Sequence, residues 1–220
     1  MSNEKLFYVF LAIFIGFLIS MTFSFVYADM QVELKDGRMI SVPVNKDDII
    51  RISFEDTSRA TGRITWDFET GDLRGWVKTG DAFNFQPTYG DNPTARNRGQ
   101  ASKHQGQYWI GGYEKRMRAS DPAGQVQGDG PQGTLTSDTF TISRPSMNFL
   151  LGGGCDINAE RVELLIDGQV VFKATGKCTE TMERMSWDVS QYQGRSAEVR
   201  LIDASGGGWG HINFDDVRFE

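Results

Sequence analysis

Two acid-bearing stretches stand near the two ends of the globular part. Asp67-Phe68-Glu69 opens it, and Ser205–Val217 (SGGGWGHINFDDV), carrying Asp215 and Asp216, closes it. Each sets carboxylates beside aromatic residues of the kind that bury, and each alternates as strands do. If the first and last strands of a β-sandwich lie side by side, these acids meet and offer hard oxygen donors to a cation. The closing run also holds Trp209 among glycines, with His211 two residues on. Glycine leaves the backbone approachable, and a flat indole is a face on which a sugar ring stacks.

Other polar groups could orient the hydroxyls of such a ring. The glycine-rich turn 152–158 carries Asp156 and Asn158, and Tyr113 and Glu114 follow another pair of glycines. Trp109 follows Tyr108 in a short strand, so one ring faces inward and the other outward, where it would form a second platform. Two readings stay open for Trp209, a ligand face or core packing, and two for His211, a ligand contact or a structural hydrogen-bonding group. Trp66, Trp76 and Trp187 belong in the core by strand position. Catalysis has little material. The chain has two histidines, and Ser205 lacks the strand–turn–helix setting of a nucleophile elbow. Acids that hold a cation cannot also serve as the free acid and base of glycoside hydrolysis. A non-catalytic binding role is expected.

Many short strands with glycine-bearing turns must position these groups. The pattern predicts strands at 64–69, 74–78, 82–85, 107–112, 133–142, 146–151, 161–166, 169–175, 183–189, 197–203 and 211–219. Val199, Leu201 and Asp203 oppose Arg200 and Ile202, while Ile212, Phe214 and Asp216 oppose Asn213, Asp215 and Val217. Helix is nearly absent, with at most a turn in 189–194. Such a series implies an antiparallel sandwich or jelly roll. Folding 161–166 against 169–174 about Asp167-Gly168 brings Cys155 and Cys178 together, so a disulfide is expected. Two polar loops, 86–105 and 116–132, exceed hairpin length, which suits functional or mobile segments.

Residues 6–26 form a nearly unbroken apolar run behind Lys5. Val26 and Ala28 suit signal peptidase, so residues 1–28 read as a cleaved signal or, uncleaved, as a membrane anchor. Either way the rest is expected outside the cytoplasm, periplasmic or extracellular. Residues 29–62 then comprise a short β-hairpin element around Lys35-Asp36-Gly37-Arg38, a third strand at 49–54 and a linker at 55–62. Residues 63–220 form the sandwich domain. The net charge of −6 comes without a basic cluster, which argues against a nucleic-acid partner.

Several runs resemble a known domain in order: DFETGDLRGW (67–76), GQYWIGGYE (106–114), GTLTSDTFTISRPSMNFLLGGG (133–154), VELLIDGQVV (162–171), WDVSQYQGRSAEVRLID (187–203) and GGWGHINFDDVRF (207–219). Together they are similar to the galactose-binding-like jelly-roll accessory domains appended to secreted levanases and other family 32 glycoside hydrolases. The resemblance implies an all-β antiparallel jelly-roll β-sandwich acting as a non-catalytic module that binds carbohydrate. It also implies a structural Ca2+ held by Glu69 and Asp216, with Asp67 and Asp215 as neighbours. The catalytic domains of those enzymes have no counterpart in these 220 residues. A competing expectation is a cell-envelope assembly module whose 30–55 strands bind a protein partner. A small glycoside hydrolase is a third.

Overall fold

A computed structural model describes residues 28–33, 39–44 and 64–220. The chain divides into two compact units, Met1–Asp56 and Thr57–Glu220. In the first, β1 (Ala28–Glu33) and β2 (Met39–Val44) pair antiparallel, with Ala28 opposite Val44 and Glu33 opposite Met39. This matches two arms of the expected hairpin. The 6–26 segment, the turn at 35–38, the third strand at 49–54 and the 55–62 linker lie outside the described residues.

The second unit is the expected β-sandwich. One sheet has six strands: β10 (Gln169–Ala174), β9 (Glu160–Ile166), β12 (Ser196–Asp203), β6 (Gly133–Ser137) and β3 (Trp76–Gly80), with β7 (Phe140–Thr141) also on β12. The other runs β11 (Thr179–Asp188), β8 (Ser146–Gly153), β13 (Ile212–Phe219), β5 (Tyr108–Gly111) and β4 (Thr88–Tyr89). Every neighbouring pair is antiparallel. Side chains from the two inner faces fill the core, among them Leu135, Phe149, Val162, Leu164, Trp187, Val199, Leu201, Ile212 and Phe214. Their alternation with outward polar residues gives each strand one face to bury. At the β9–β10 turn Asp167 and Gly168 both have positive φ, at 49° and 77°, as the two-residue hairpin expected there requires.

The two ends of the unit depart from simple strands. Residues 64–69 form no strand, because Phe68 takes a positive φ of 55° and the Asp67 carboxylate accepts the Glu69 N–H, which turns the chain. The segment still lies against β13. Val217 N–H donates to the Trp66 carbonyl, Trp76 Nε1–H donates to Thr65 O, and Phe68 is fully buried. On β13 the expected alternation breaks at a bulge after Asp215, where Asp216 has φ of 50°. Val217 therefore joins Ile212 and Phe214 in the core. Trp76 and Trp187 are buried, and Trp66 packs edge-on to Trp76, Phe140 and Phe219.

The two long loops are built structures. Asp91 caps the short helix α1 (Asn92–Ala95), accepting from the N–H and hydroxyl of Thr94. Fully buried Asn92 donates to Glu114 Oε2 and Gln125 O and accepts Gly124 N–H. One side chain thus joins the two loops. Residues 100–102 bond across to 180–182 of β11. Among the described residues, helix elsewhere is limited to a 3-10 turn at Ser190–Tyr192, where a turn was expected.

Candidate functional site

The described cleft of most chemical interest lies at one end of the sandwich and holds about 280 Å³. Arg96, Arg98, Tyr113, Asp129, Glu180, Gly208, Trp209 and His211 line it. Four segments converge there: the loop after α1, the 113–129 stretch after β5, the start of β11 with Glu180, and the 205–211 loop that leads into β13. Trp209 has a positive φ of 65° and is half-buried. Gly210 is required behind it, since a Cβ there would stand 2.3 Å from Ser205 O.

Rings and cations stack in sequence across the cleft. The Arg98 guanidinium sits 5.1 Å over the Trp209 ring, Trp209 stacks on His211 at 5.5 Å, and Tyr113 leans on His211 at 5.3 Å. Arg96 lies 4.6 Å over Tyr113. Such cation–ring pairs hold the indole and phenol in place. Carboxylates balance the cations. Glu180 reaches Arg96 at 2.5 Å, Asn213 Nδ2 at 3.1 Å and His211 Nε2 at 3.4 Å, while His211 Nδ1 lies 2.7 Å from Asp129. The Glu180–His211 contact is an ion pair at that distance, because His211 Nε2 makes no aligned hydrogen bond.

Burial by itself pushes the His211 imidazole down, but Asp129 and Glu180 outweigh it and raise the group to about 9. Burial likewise pushes Glu180 up, and His211, Asn213 and Arg96 overcome it to hold the carboxyl at about 2. Both groups are therefore charged at neutral pH. The result is a pre-organised polar floor beneath an aromatic wall, which suits a ligand with an apolar face and a rim of hydroxyls.

Of the expected ligand residues, Trp209, His211 and Tyr113 come together here. Glu114 lies beneath the cleft, fully buried, and bonds Arg96 and Asn92 instead of facing a ligand. Asp156 and Asn158 stay outside it. The Asp156 carboxylate accepts the Asn158 N–H in an exposed turn, as short polar side chains commonly do. Trp109 is no platform. It is fully buried, donates Nε1–H to Gly90 O and clusters with Leu150 and Met182 under the long loops, with Tyr108 on the opposite face. Reasoning from sequence missed Arg96, Arg98, Asp129 and Glu180. No local pattern shows that Arg96 and Arg98 lie over aromatic rings.

The end acids separate into two pairings. Glu69 Oε1 accepts the N–H groups of Gln107 and Tyr108, and Asp215 accepts those of Gln105 and Asp216, so both grip the same 105–108 turn. Burial, with repulsion from Asp216 and Glu69, pushes fully buried Asp215 up to about 8 despite those donors. Asp216 instead pairs with Arg184 at 2.5 Å and Arg218 at 2.8 Å. The bulge turns it that way, and Asp67 serves its own turn. Glu69 thus finds Asp215, not Asp216, as its acidic neighbour. Among the described residues no three His, Cys, Asp or Glu side chains converge as a metal-holding group.

Cys155 and Cys178 form the expected disulfide, with Cα atoms 5.0 Å apart. It closes the loop next to the cleft, two residues before Glu180. A serine–histidine–aspartate cluster also exists, but it is not a relay. Ser102 is fully buried, meets His104 Nδ1 at 2.7 Å, and donates to Asp91, which bonds the serine and not the histidine.

The chain resembles part of a fungal protein. It is 35% identical over 161 residues to ecdE of Aspergillus rugulosus, provisionally named a glycosyl hydrolase. That match covers 72% of this chain and 21% of the relative, so the chain spans about a fifth of the curated protein it matches. No family model matches the chain. Among solved structures, the carbohydrate-binding module TmCBM61 in complex with β-1,4-galactotriose aligns with a TM-score of 0.43 at 16% identity, over 70% of this chain and 95% of that one. The K2 cleaved adhesin domain of Lys-gingipain aligns with a TM-score of 0.40 at 14% identity, over 70% and 96%.

Proposed function

We propose that this chain is an exported, non-catalytic module that binds carbohydrate in the cleft walled by Trp209. The observation that carries the reading is the cleft itself: a half-buried indole held by Arg98 and His211 above a fixed set of charged and polar groups. A sugar offers the matching surface, one apolar face and directed hydroxyls. The similarity to part of a named glycosyl hydrolase fits a module that delivers such an enzyme to its polymer. Binding, not hydrolysis, suits the acids present. Glu180 is held ionised at about 2 and cannot act as a general acid, and Asp129 is engaged with His211. The disulfide suits an oxidising compartment outside the cytoplasm.

Affinity gels and a glycan array with the full chain test this, with fructans first in the panel and galactans beside them. Trp209→Ala should weaken binding about tenfold or more, each decade being about 1.4 kcal/mol, while Asp156→Ala, outside the cleft, should leave it unchanged. Equal retention by both variants would remove the cleft from consideration.

A structural calcium belongs to the same reading, placed at Glu69 and Asp215. Both are hard oxygen donors on one turn, and a buried carboxylate beside a second acid is a setting that a divalent ion neutralises. The ion would supply no chemistry, only a clamp between the 64–69 segment, the 105–108 turn and β13. Thermal melts with calcium and with chelator should differ by several degrees, since binding to the native state alone adds stability. An unchanged midpoint counts against the ion.

A further inference from the structure

Glu160 and Asp203 stand directly opposite one another where β9 and β12 pair. Facing residues of adjacent strands share one face of the sheet, so the two side chains are neighbours. They are 3% and 2% exposed. Glu160 Oε1 and Asp203 Oδ1 are both buried without a hydrogen-bond partner, and among the described residues no lysine or arginine pairs with either acid. Buried carboxylate oxygens without donors are rare because water is not there to replace them.

One backbone carbonyl lies close to the Glu160 side chain. A Cβ on Gly154 would stand 2.4 Å from Trp209 O and 2.8 Å from Glu160 Cγ, so that carbonyl and that side chain converge on the hydrogen-only face of a glycine. Burial, then Glu160 and Asp129, raise Asp203 to about 8, with His211 opposing. Burial, then Asp156 and Asp129, raise Glu160 as well, with His211 opposing here too. The electrostatics of the pair therefore call for positive charge.

We infer that Glu160 and Asp203, together with the Trp209 carbonyl, bind a hard divalent cation of the calcium class at a site separate from Glu69 and Asp215. The donors named are all oxygen, and both cysteines are in the disulfide, so a thiolate-preferring metal finds no ligand. Two carboxylates neutralise a divalent charge, and carbonyls complete a shell of six to eight oxygens. The bound ion would tie the start of β9 and the end of β12 to the loop that carries Trp209.

Equilibrium dialysis of the full chain against radioactive calcium tests this by stoichiometry. Wild type should bind one equivalent more than Glu160→Gln/Asp203→Asn, and Asp215→Asn should keep the equivalent that the double variant loses. An equal count in wild type and the double variant overturns the site. If wild type binds a single equivalent, the variant that abolishes it identifies the surviving site: loss only in Asp215→Asn overturns this inference and leaves the first calcium standing, and loss only in the double variant does the reverse. The amide replacements preserve shape and remove like-charge repulsion, so the fold is expected to hold by circular dichroism. Should the double variant unfold, hydrogen exchange on wild type decides. Calcium should slow the 204–210 amides about tenfold, in Asp215→Asn as in wild type, and unchanged rates there overturn the site.

Discussion

Glu180→Ala is expected to lower the unfolding free energy by about 3–5 kcal/mol, because it strips the shared partner from a buried ionic network. Glu180 is 2% exposed and joins Arg96, in the loop after α1, to His211 and Asn213 around the start of β13. Its removal leaves His211 held by Asp129 alone and Arg96 by Glu114 alone. At about 2–4 °C per kcal/mol for a unit of this size, the melting midpoint should fall by about 10 °C. The pH dependence distinguishes lost charge pairing from lost packing. Glu180 is depressed from 4.5 to about 2, so its contribution is complete above 4.5 and is lost as pH falls through about 2. His211 is raised from 6.5 to about 9, so its contribution is complete below 6.5 and is lost as pH rises through about 9. The gap between wild type and variant should therefore be widest from about pH 4.5 to 6.5 and narrow on either side. A gap that stays constant from acid to base, or one below about 1 kcal/mol, would contradict the network.

Loss of the Cys155–Cys178 disulfide should cost about 3 kcal/mol. The bridge spans a sequence separation of 23, and closing a loop of that size removes a corresponding entropy from the unfolded chain. The cross-link joins the turn after β8 to the start of β11, which delivers Glu180 to the cleft. Cys155→Ser/Cys178→Ser should therefore weaken carbohydrate binding as well as stability, whereas a distant core truncation of equal cost should spare binding at a temperature where both variants are folded. Urea titrations of oxidised and reduced protein measure the first effect, and affinity gels the second. Unchanged stability after reduction, with free thiols verified by mass, would show that the bridge constrains nothing.

Much of the fold is legible along the chain because its signals are local. Alternation in 197–203 and the Asp167-Gly168 turn predict strands and hairpin correctly, and the hairpin in turn aligns the cysteines. The opening segment reads wrongly as a strand because its alternation is real but its backbone turns at Phe68, where the Asp67 side chain supplies a competing hydrogen bond. Trp109 illustrates a different limit. Period-2 alternation shows that it and Tyr108 face opposite ways, but both faces of the five-stranded sheet are covered there, one by the core and one by the 86–105 loop. No strand pattern reveals a loop that folds back over the outer face.

The cleft divides along the same line. Trp209, His211 and Tyr113 stand out as candidates from their own neighbours, since glycines leave the backbone approachable and aromatic rings offer flat faces. Arg96, Arg98, Asp129 and Glu180 become site residues through contacts that span long stretches of sequence: Arg96 with Glu180, and Asp129 with His211. The bulge at Asp216 matters most for the acids. One inserted residue turns Asp216 out to Arg184 and Arg218 and leaves Asp215 beside the turn that Glu69 holds. Strand content and turn chemistry thus follow from the sequence alone, because each is set by residues within a few positions of one another. Charge partners and the choice between Asp215 and Asp216 are decided by the tertiary structure, because a register shift and two folded loops set which side chains share a dry space.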